Sequence, residues 1–363
     1  MNVMRDLDDI KAIKKIDNRQ VLPSLMALHL QCEQAWQESS NIDYPTGFQE
    51  ADNIVIAGMG GSSYGVRLVK SLYDHTPSSK VPISLSNNYH LPGYVNSRTL
   101  VILSSYGGAT EETLECARQA KDKKAMITGI TSGGPLEDFL KTNRYPCYFF
   151  NPLHNPSQQP RIGVGYMVMG LIGLLSRLSF IPVAREEVTK LVKFLSLQSV
   201  LFSVDRDATQ NPAKILARKL QNKVPIIVVA DFLEGAGYAV QNPFHETAKQ
   251  FAVCFTIPEL NHHLLEGLTY PAIIRKLLHF IFITSEKYGQ KNQKRLILTR
   301  EIVKENSIIT SGINLAGVTP LIQAMELVQF GAFVAYYLAV IHGVDPAKIP
   351  YVDYFKNKLS AIT

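Results

Sequence analysis

The chain of 363 residues is predicted to be α/β, built as two domains that each carry a parallel sheet flanked by helices. Length is the first observation, because a chain this long outgrows one hydrophobic core and divides into units of roughly 150 to 200 residues. The second is the alternation, from Ile54 onward, of short apolar runs with segments of helical periodicity, the pattern of a parallel sheet with helices on both faces. The third is that three apolar runs in the first half break directly into glycine and hydroxyl residues, as strands do when they turn into helices.

In chain order, residues 5–40 read as one or two covering helices, with Ile10, Ile13, Ile16, Leu22, Leu25, Met26, Leu28 and Leu30 at near-helical spacing. A strand over 54–57 then runs into Gly58-Met59-Gly60-Gly61-Ser62-Ser63 and a helix over 62–74. Glycines let the backbone approach a ligand, and a serine beside the unpaired N–H groups of a helix start suits an anion such as phosphate. Strands are expected near 81–85, 100–104, 125–129 and 146–150, with a helix over 110–121.

The strand at 100–104 ends in Ser105-Tyr106-Gly107-Gly108-Ala109-Thr110, where Thr110 stands at an N-cap position, and its hydroxyl, Ser105 and the Gly107 and Gly108 amides are a second wall for the same anion. A third turn, Thr131-Ser132-Gly133-Gly134, closes the set. Ligands of open α/β sheets bind beyond the carboxyl ends of the strands, where all three turns fall. Glu111 and Glu112 suit a helix start but would repel a phosphate unless they turn away.

The Pro, Asn and Ser of 151–159 read as a linker, placing a boundary near 155 between domains 1–155 and 156–363. An apolar helix follows from Pro160-Arg161 to about Arg177. The alternation then restarts: helix 211–222, strand 224–230, helix 234–249, strands 251–255, 278–284 and 296–298, helix 300–306, an apolar helix over 318–341, and a short last helix carrying Lys356 and Lys358.

Composition narrows the function class. A formal charge of +6 without a dense Lys/Arg block argues against nucleic acid, while favouring an anionic small molecule. Cys32, Cys116, Cys147 and Cys254 form no CxxC pair, which disfavours a zinc site or disulfide framework. The N-terminus lacks the apolar run of a signal peptide, and the apolar stretches at 162–175 and 327–341 are short of the roughly 20 residues that span a bilayer. A cytoplasmic protein with no membrane partner is expected. Neither GxGxxG spacing nor a P-loop lysine follows the first turn, so a nucleotide cofactor is not indicated.

Taken in series, GMGGSS, SSYGGATEET, TSGG, QPR, HETAK, PELNHH and VDPAKIPYVDYFKNKL resemble the bifunctional phosphoglucose/phosphomannose isomerase family across nearly the whole chain. The resemblance implies two sugar-isomerase (SIS) domains, each a flavodoxin-like three-layer sandwich, in a cofactor-free, metal-free homodimer that interconverts glucose 6-phosphate or mannose 6-phosphate with fructose 6-phosphate through a cis-enediol. It implies Glu246 as base, His262 as the ring-opening histidine supplied by the other subunit, Lys356 as its assistant, and Arg161 facing the developing negative charge. Gly60, Gly61, Ser62, Ser105, Gly107 and Thr110 fall on the phosphate-binding turns.

Three departures stand out. Gly107 replaces a serine of the usual SYSG, His245 and Thr247 stand in the usual NENAK, and Ala239 and Gln241 occupy positions where Arg and Lys are common. They keep two alternatives open: a non-catalytic sugar-phosphate sensor, or an isomerase of another phosphosugar. His263 competes with His262, and His245 reads equally as a pocket residue or a satisfied surface histidine.

Overall fold

The computed structural model describes residues 6–74, 76, 80–359 and 361; expectations drawn from Met1 to Arg5 lie outside them. Three helices open the described chain, α1 (Ile10–Ile16), α2 (Val21–Met26) and α3 (Leu28–Ser39), one more than expected. They lead into β1 (Asn53–Gly58), α4 (Tyr64–Tyr73), β2 (Ile83–Ser86), β3 (Thr99–Ser104), α5 (Glu111–Asp122), β4 (Met126–Thr131), α6 (Gly134–Thr142) and β5 (Cys147–Phe149). The five strands pair in parallel in the order β2-β1-β3-β4-β5. Their central members are buried along nearly their whole length, which is why they read as continuous apolar runs and not as alternation.

The second half contains α7 (Val164–Arg177), α8 (Arg185–Leu201), α9 (Pro212–Leu220), β6 (Val224–Ala230), α10 (Glu234–Glu246), β7 (Val253–Ile257), α11 (Ile274–Leu277), β8 (Leu278–Thr284), α12 (Gln290–Glu305), β9 (Ile309–Asn314), α13 (Pro320–His342) and α14 (Pro350–Leu359). Its sheet is again all parallel, in the order β7-β6-β8-β9. With the first strand of each sheet placed between the second and third, the two sheets repeat one winding.

Several expectations need correction. Leu296, Ile297 and Leu298 are not a strand but the middle of α12, where Leu296 is buried and its two neighbours face outward. A three-residue apolar run carries no period of its own, so the helix around it decides. The fourth strand is instead β9, whose polar, half-exposed ITSGIN lacks an apolar run. The helices α6 and α8 were not foreseen at all.

The segment 151–159 is not a loose tether. Asn155 and Ser157 are buried, Asn155 Nδ2 donates to Tyr106 Oη at 2.8 Å, and the Ser157 amide donates to Ser24 Oγ at 2.9 Å. Beyond it, α7 packs on α3 and α4 and meets Tyr148 and Ile130 of the first sheet at Gly170. The covering of the first sheet thus runs past 155, because its helix comes from later in the chain.

Between the sheets α4 lies antiparallel to α10, with Arg67 over the Tyr238 ring at 3.9 Å and Ser71 Oγ receiving the Gly235 amide at 3.2 Å. The longest helix, α13, has length and hydropathy enough to cross a membrane, yet 94% of its apolar window is buried in protein. It is the central post of the second half, starting at a Thr319 cap and ending at Gly343 in a left-handed conformation.

Candidate active site

The antiparallel packing of α4 on α10 brings the first turn of α4 against the last turn of α10, and the site forms there. β1 ends at Gly58, and Gly60 takes φ +49°, a conformation that favours glycine, so that residues 60–63 wind into a 3₁₀ turn before α4. A side chain at Gly60 would meet nothing within 4 Å, whereas one at Gly61 would stand 3.4 Å from the Arg161 Cα. The first turn therefore rests on the Pro160–Ile162 turn while leaving open space at Gly60.

Ser62 is buried, and its hydroxyl accepts the Tyr106 amide at 3.0 Å, which ties the first turn to the second and leaves its own proton to donate. Ser105 and Thr110 pair through their hydroxyls at 2.8 Å. Thr110 does occupy the N-cap of α5, but its side chain joins Ser105 in place of a backbone amide. Glu111 accepts the Tyr89 hydroxyl at 3.2 Å, and the Glu112 charge stands close enough to Tyr89 to push its phenol up.

The third turn does not face the same space. Thr131 Oγ1 donates to Gly133 O at 2.9 Å and Ser132 Oγ to Tyr106 O at 2.7 Å, so its hydroxyls brace the second turn. The two turns interlock so closely that a methyl on Gly108 would lie 1.8 Å from Gly133 O. Gly107, by contrast, is exposed and a side chain there would meet nothing within 4 Å. The missing serine hydroxyl thus leaves room rather than a repacked turn.

Arg161 and Glu246 converge from opposite sides of this cradle, with Nη1 and Oε2 3.6 Å apart and side chains 2% and 29% exposed. Burying a guanidinium costs several kcal/mol unless its donors are met. They are met here: Nε donates to Thr247 Oγ1 at 3.3 Å, Nη1 to Gln159 Oε1 at 3.1 Å, and Nη2 to both Pro346 O and Ala347 O at 2.8 Å. Four of its five N–H groups are committed to protein, and the fifth sits on Nη1, the side toward Glu246. Burial pulls the guanidinium below its ordinary range, opposed by the Glu246 charge.

Tyr64 at the start of α4 is fully buried; burial and the Glu246 charge both push its phenol up. Lys249, just past α10, is exposed on one side, yet partial burial and the Arg161 guanidinium hold its amine down to about 8.

Other sequence candidates are not gathered in. His262 lies in an exposed 3₁₀ turn after β7, Lys356 is exposed on α14, and no hydrogen bond or ion pair links either to Arg161 or Glu246 among the described residues. His263 is exposed in the same turn. His245 is a structural histidine, its Nε2 2.9 Å from Ala252 O. Ala239 lines a small apolar cavity with Tyr64 and Arg161, and Gln241 Oε1 accepts the Cys254 amide at 2.9 Å. Neither puts a charge into the site. Among the described residues no group of three His, Cys, Asp or Glu side chains is placed to hold a metal.

Gln159, Thr247 and Lys249 lie inside the QPR and HETAK motifs, Thr247 as a departure from NENAK, but none of them carries a site role by sequence, and only the fold shows what they touch.

Residues 209–359 match the bacterial phospho-glucose isomerase C-terminal SIS domain. A bifunctional phosphoglucose/phosphomannose isomerase from Caldicellulosiruptor bescii is 32% identical, over 93% of this chain and 98% of that protein. One from Thermoplasma volcanium is 28% identical over 85% and 92%. A D-glucosamine-6-phosphate 4-epimerase from Sulfolobus acidocaldarius is 28% identical over 64% and 68%. Among solved structures, a glucose-6-phosphate isomerase like protein from Thermus thermophilus superposes with TM-score 0.62 at 20% identity, over 98% of this chain and 99% of that one. Glucosamine-6-phosphate deaminase from Thermotoga maritima superposes with TM-score 0.63 at 16% identity, over 95% and 98%.

Proposed function

The chain belongs to the bifunctional phosphoglucose/phosphomannose isomerase family, and from that membership we propose that it interconverts glucose 6-phosphate, mannose 6-phosphate or both with fructose 6-phosphate. The observation that carries this is the meeting of Glu246 and Arg161 beside the hydroxyl-lined turns at 60–62 and 105–110. The 6-phosphate sits against Ser62, Ser105, Thr110 and the amides around Gly60, Gly61 and Gly107, at the start of α4, where backbone N–H groups and the helix dipole favour an anion.

With the phosphate held there, the open-chain sugar reaches toward Glu246. Its carboxylate takes the proton from carbon 2; the C–H electron pair becomes the C1=C2 bond, and the carbonyl π pair moves onto O1, giving the enediolate. Protonated Glu246 returns its proton to carbon 1 while the O2 proton passes to the O1 oxyanion, leaving the ketone at carbon 2 and a hydroxyl at carbon 1. Arg161 holds Glu246 in place and sets a fixed positive charge near the developing oxyanion, with its Nη1 side toward it. No external oxidant or cofactor is needed, since carbon 2 loses the two electrons that carbon 1 gains.

Glu246→Gln is expected to lower kcat by about a thousandfold, the scale of a lost general base. An unchanged kcat, or purified protein that leaves fructose 6-phosphate unconverted in a coupled assay, rejects the assignment.

Ring opening falls to His262 and Lys356. A second copy would complete the site: among the described residues neither is bonded to Glu246 or Arg161, and the exposed Tyr270, Tyr351, Tyr354 and Phe355 supply apolar surface for such an association. Mixing inactive Glu246→Gln with inactive His262→Ala then restores roughly one quarter of wild-type activity if each site draws on both subunits. No recovery on mixing places the histidine in the same chain as the base. A cytoplasmic location follows the same proposal.

A second reading, turnover of another phosphosugar, is favoured by Gly107, by the apolar Ala239 and by the similarity to a glucosamine-6-phosphate epimerase. A screen of hexose, pentose and amino-sugar phosphates for conversion and thermal stabilisation separates it from the first. Stabilisation without any conversion identifies a sensor.

A further inference from the structure

Three successive backbone carbonyls, those of Asp345, Pro346 and Ala347, receive hydrogen bonds from two cations that flank Glu246. Lys249 Nζ donates to Asp345 O at 2.6 Å, and Arg161 Nη2 donates to Pro346 O and Ala347 O, both at 2.8 Å. Asp345 closes the turn on itself, its Oδ1 accepting the Ala347 and Lys348 amides at 2.8 and 3.3 Å. A further contact, His342 Nδ1 to Ala248 O at 3.0 Å, runs alongside. The segment that follows α10 and the segment that follows α13 are thus zipped together beside the base.

What hangs from this turn is α14, and α14 has no buried residue. Its start stands close to the site, since the Asp353 charge acts on the Arg161 guanidinium. Lys249 is also conspicuous in its backbone: it holds φ +54°, where a glycine would be at ease and a lysine is not.

We propose that Lys249 is a positioning residue which, with Arg161, clamps the 345–347 turn and thereby sets where α14 presents Lys356. This rests on the assignment of Lys356 to ring opening. Through the clamp, the segment bearing the base and the C-terminal helix move as one body, so that loosening the turn costs turnover without costing substrate affinity.

The informative variant is Lys249→Gly, which removes the amine while relaxing the backbone, so the fold is retained; Lys249→Arg keeps a charged donor. Each is compared with wild type in fructose 6-phosphate turnover and in backbone hydrogen exchange over residues 347–353, with thermal unfolding as the check on folding. For Lys249→Gly the expected result is a melting temperature within about 3 °C of wild type. Exchange at 347–353 quickens by about tenfold or more, and kcat falls by about tenfold with KM changed less than about threefold, the scale of a misplaced catalytic group. Lys249→Arg restores both.

Unaltered exchange in Lys249→Gly overturns the clamp. Quickened exchange with unaltered kcat overturns its part in the reaction. Should wild-type protein convert no phosphosugar, the function proposed above fails, and the exchange measurement alone decides the clamp.

Discussion

The two sheets wind alike but treat their first turn in opposite ways. After β1, Gly60 takes φ +49°; after β6, Asp231 takes φ +48°. Each residue opens a 3₁₀ turn into the helix that follows, α4 or α10. At Gly60 nothing stands where a side chain would be. At Asp231 the carboxylate fills the corresponding place, accepting the Gly289 amide at 2.9 Å and Asn292 Nδ2 at 2.5 Å at the start of α12.

The connection from β9 to α13 is closed in the same manner, with buried Glu326 of α13 receiving the Ala316 and Gly317 amides. One backbone geometry serves two ends. The first sheet sets no carboxylate of its own against its helix-start donors among the described residues, and the second satisfies them with Asp231 and Glu326.

The strongest way to break this contrast is to give the first turn the residue of the second. Gly60→Asp is expected to fold, since Asp231 already adopts that φ and no atom stands in the way. Its carboxylate then competes with phosphate for the same donors, raising KM for fructose 6-phosphate on the order of a hundredfold. An unchanged KM would show that the anion does not bind at Gly60.

Next in size is Gly107→Ser, which fills the open room in the second turn with a hydroxyl. One added hydrogen bond to a charged group lowers KM by about tenfold. Equal or raised KM in steady-state assays would mean that a water or the Gly107 amide already plays that part.

In the second sheet, Asp231→Asn weakens a charged cap on α12 and is expected to cost about 1 kcal/mol, a fall of roughly 2 to 4 °C in melting temperature, without changing KM.

The smallest effect is a difference in acid sensitivity. β8 carries His279, buried, with Nε2 2.8 Å from Ser311 Oγ on β9; burial lowers its pKa from 6.5 to about 4. The folded state therefore favours the neutral ring. The unfolded chain binds the proton more readily, and stability is lost as pH falls from about 6.5 toward 4. β3 has no titrating side chain. Hydrogen exchange should quicken at 278–284 before 99–104 across that window, and His279→Gln should remove the difference.

Much of this was legible in the residues. The buried strands announced themselves as apolar runs, and the turns after β1 and β3 as glycine and hydroxyl clusters, because a backbone that must bend sharply leaves a local chemical mark. Glu246 and Arg161 were found through motifs, not through periodicity. Elements without a local mark were lost: β9 lies half-exposed and polar, and Leu296–Leu298 has the same apolar triplet whether in strand or helix. The third turn looked like a ligand wall because its hydroxyls are visible in sequence while their partners, Gly133 O and Tyr106 O, are not.

The sequence by itself determined the α/β class and the glycine and hydroxyl make-up of the first turns, and motif resemblance singled out Glu246 and Arg161, since each depends on neighbours within a few positions. Only the tertiary structure decided that Arg161 spends four donors on residues 159, 247, 346 and 347, that Lys249 reaches Asp345, and that Asp231 fills the second sheet's turn. Most of those contacts join residues 58 to 186 positions apart, and a hydrogen bond fixes a distance in space for which linear spacing carries no signal.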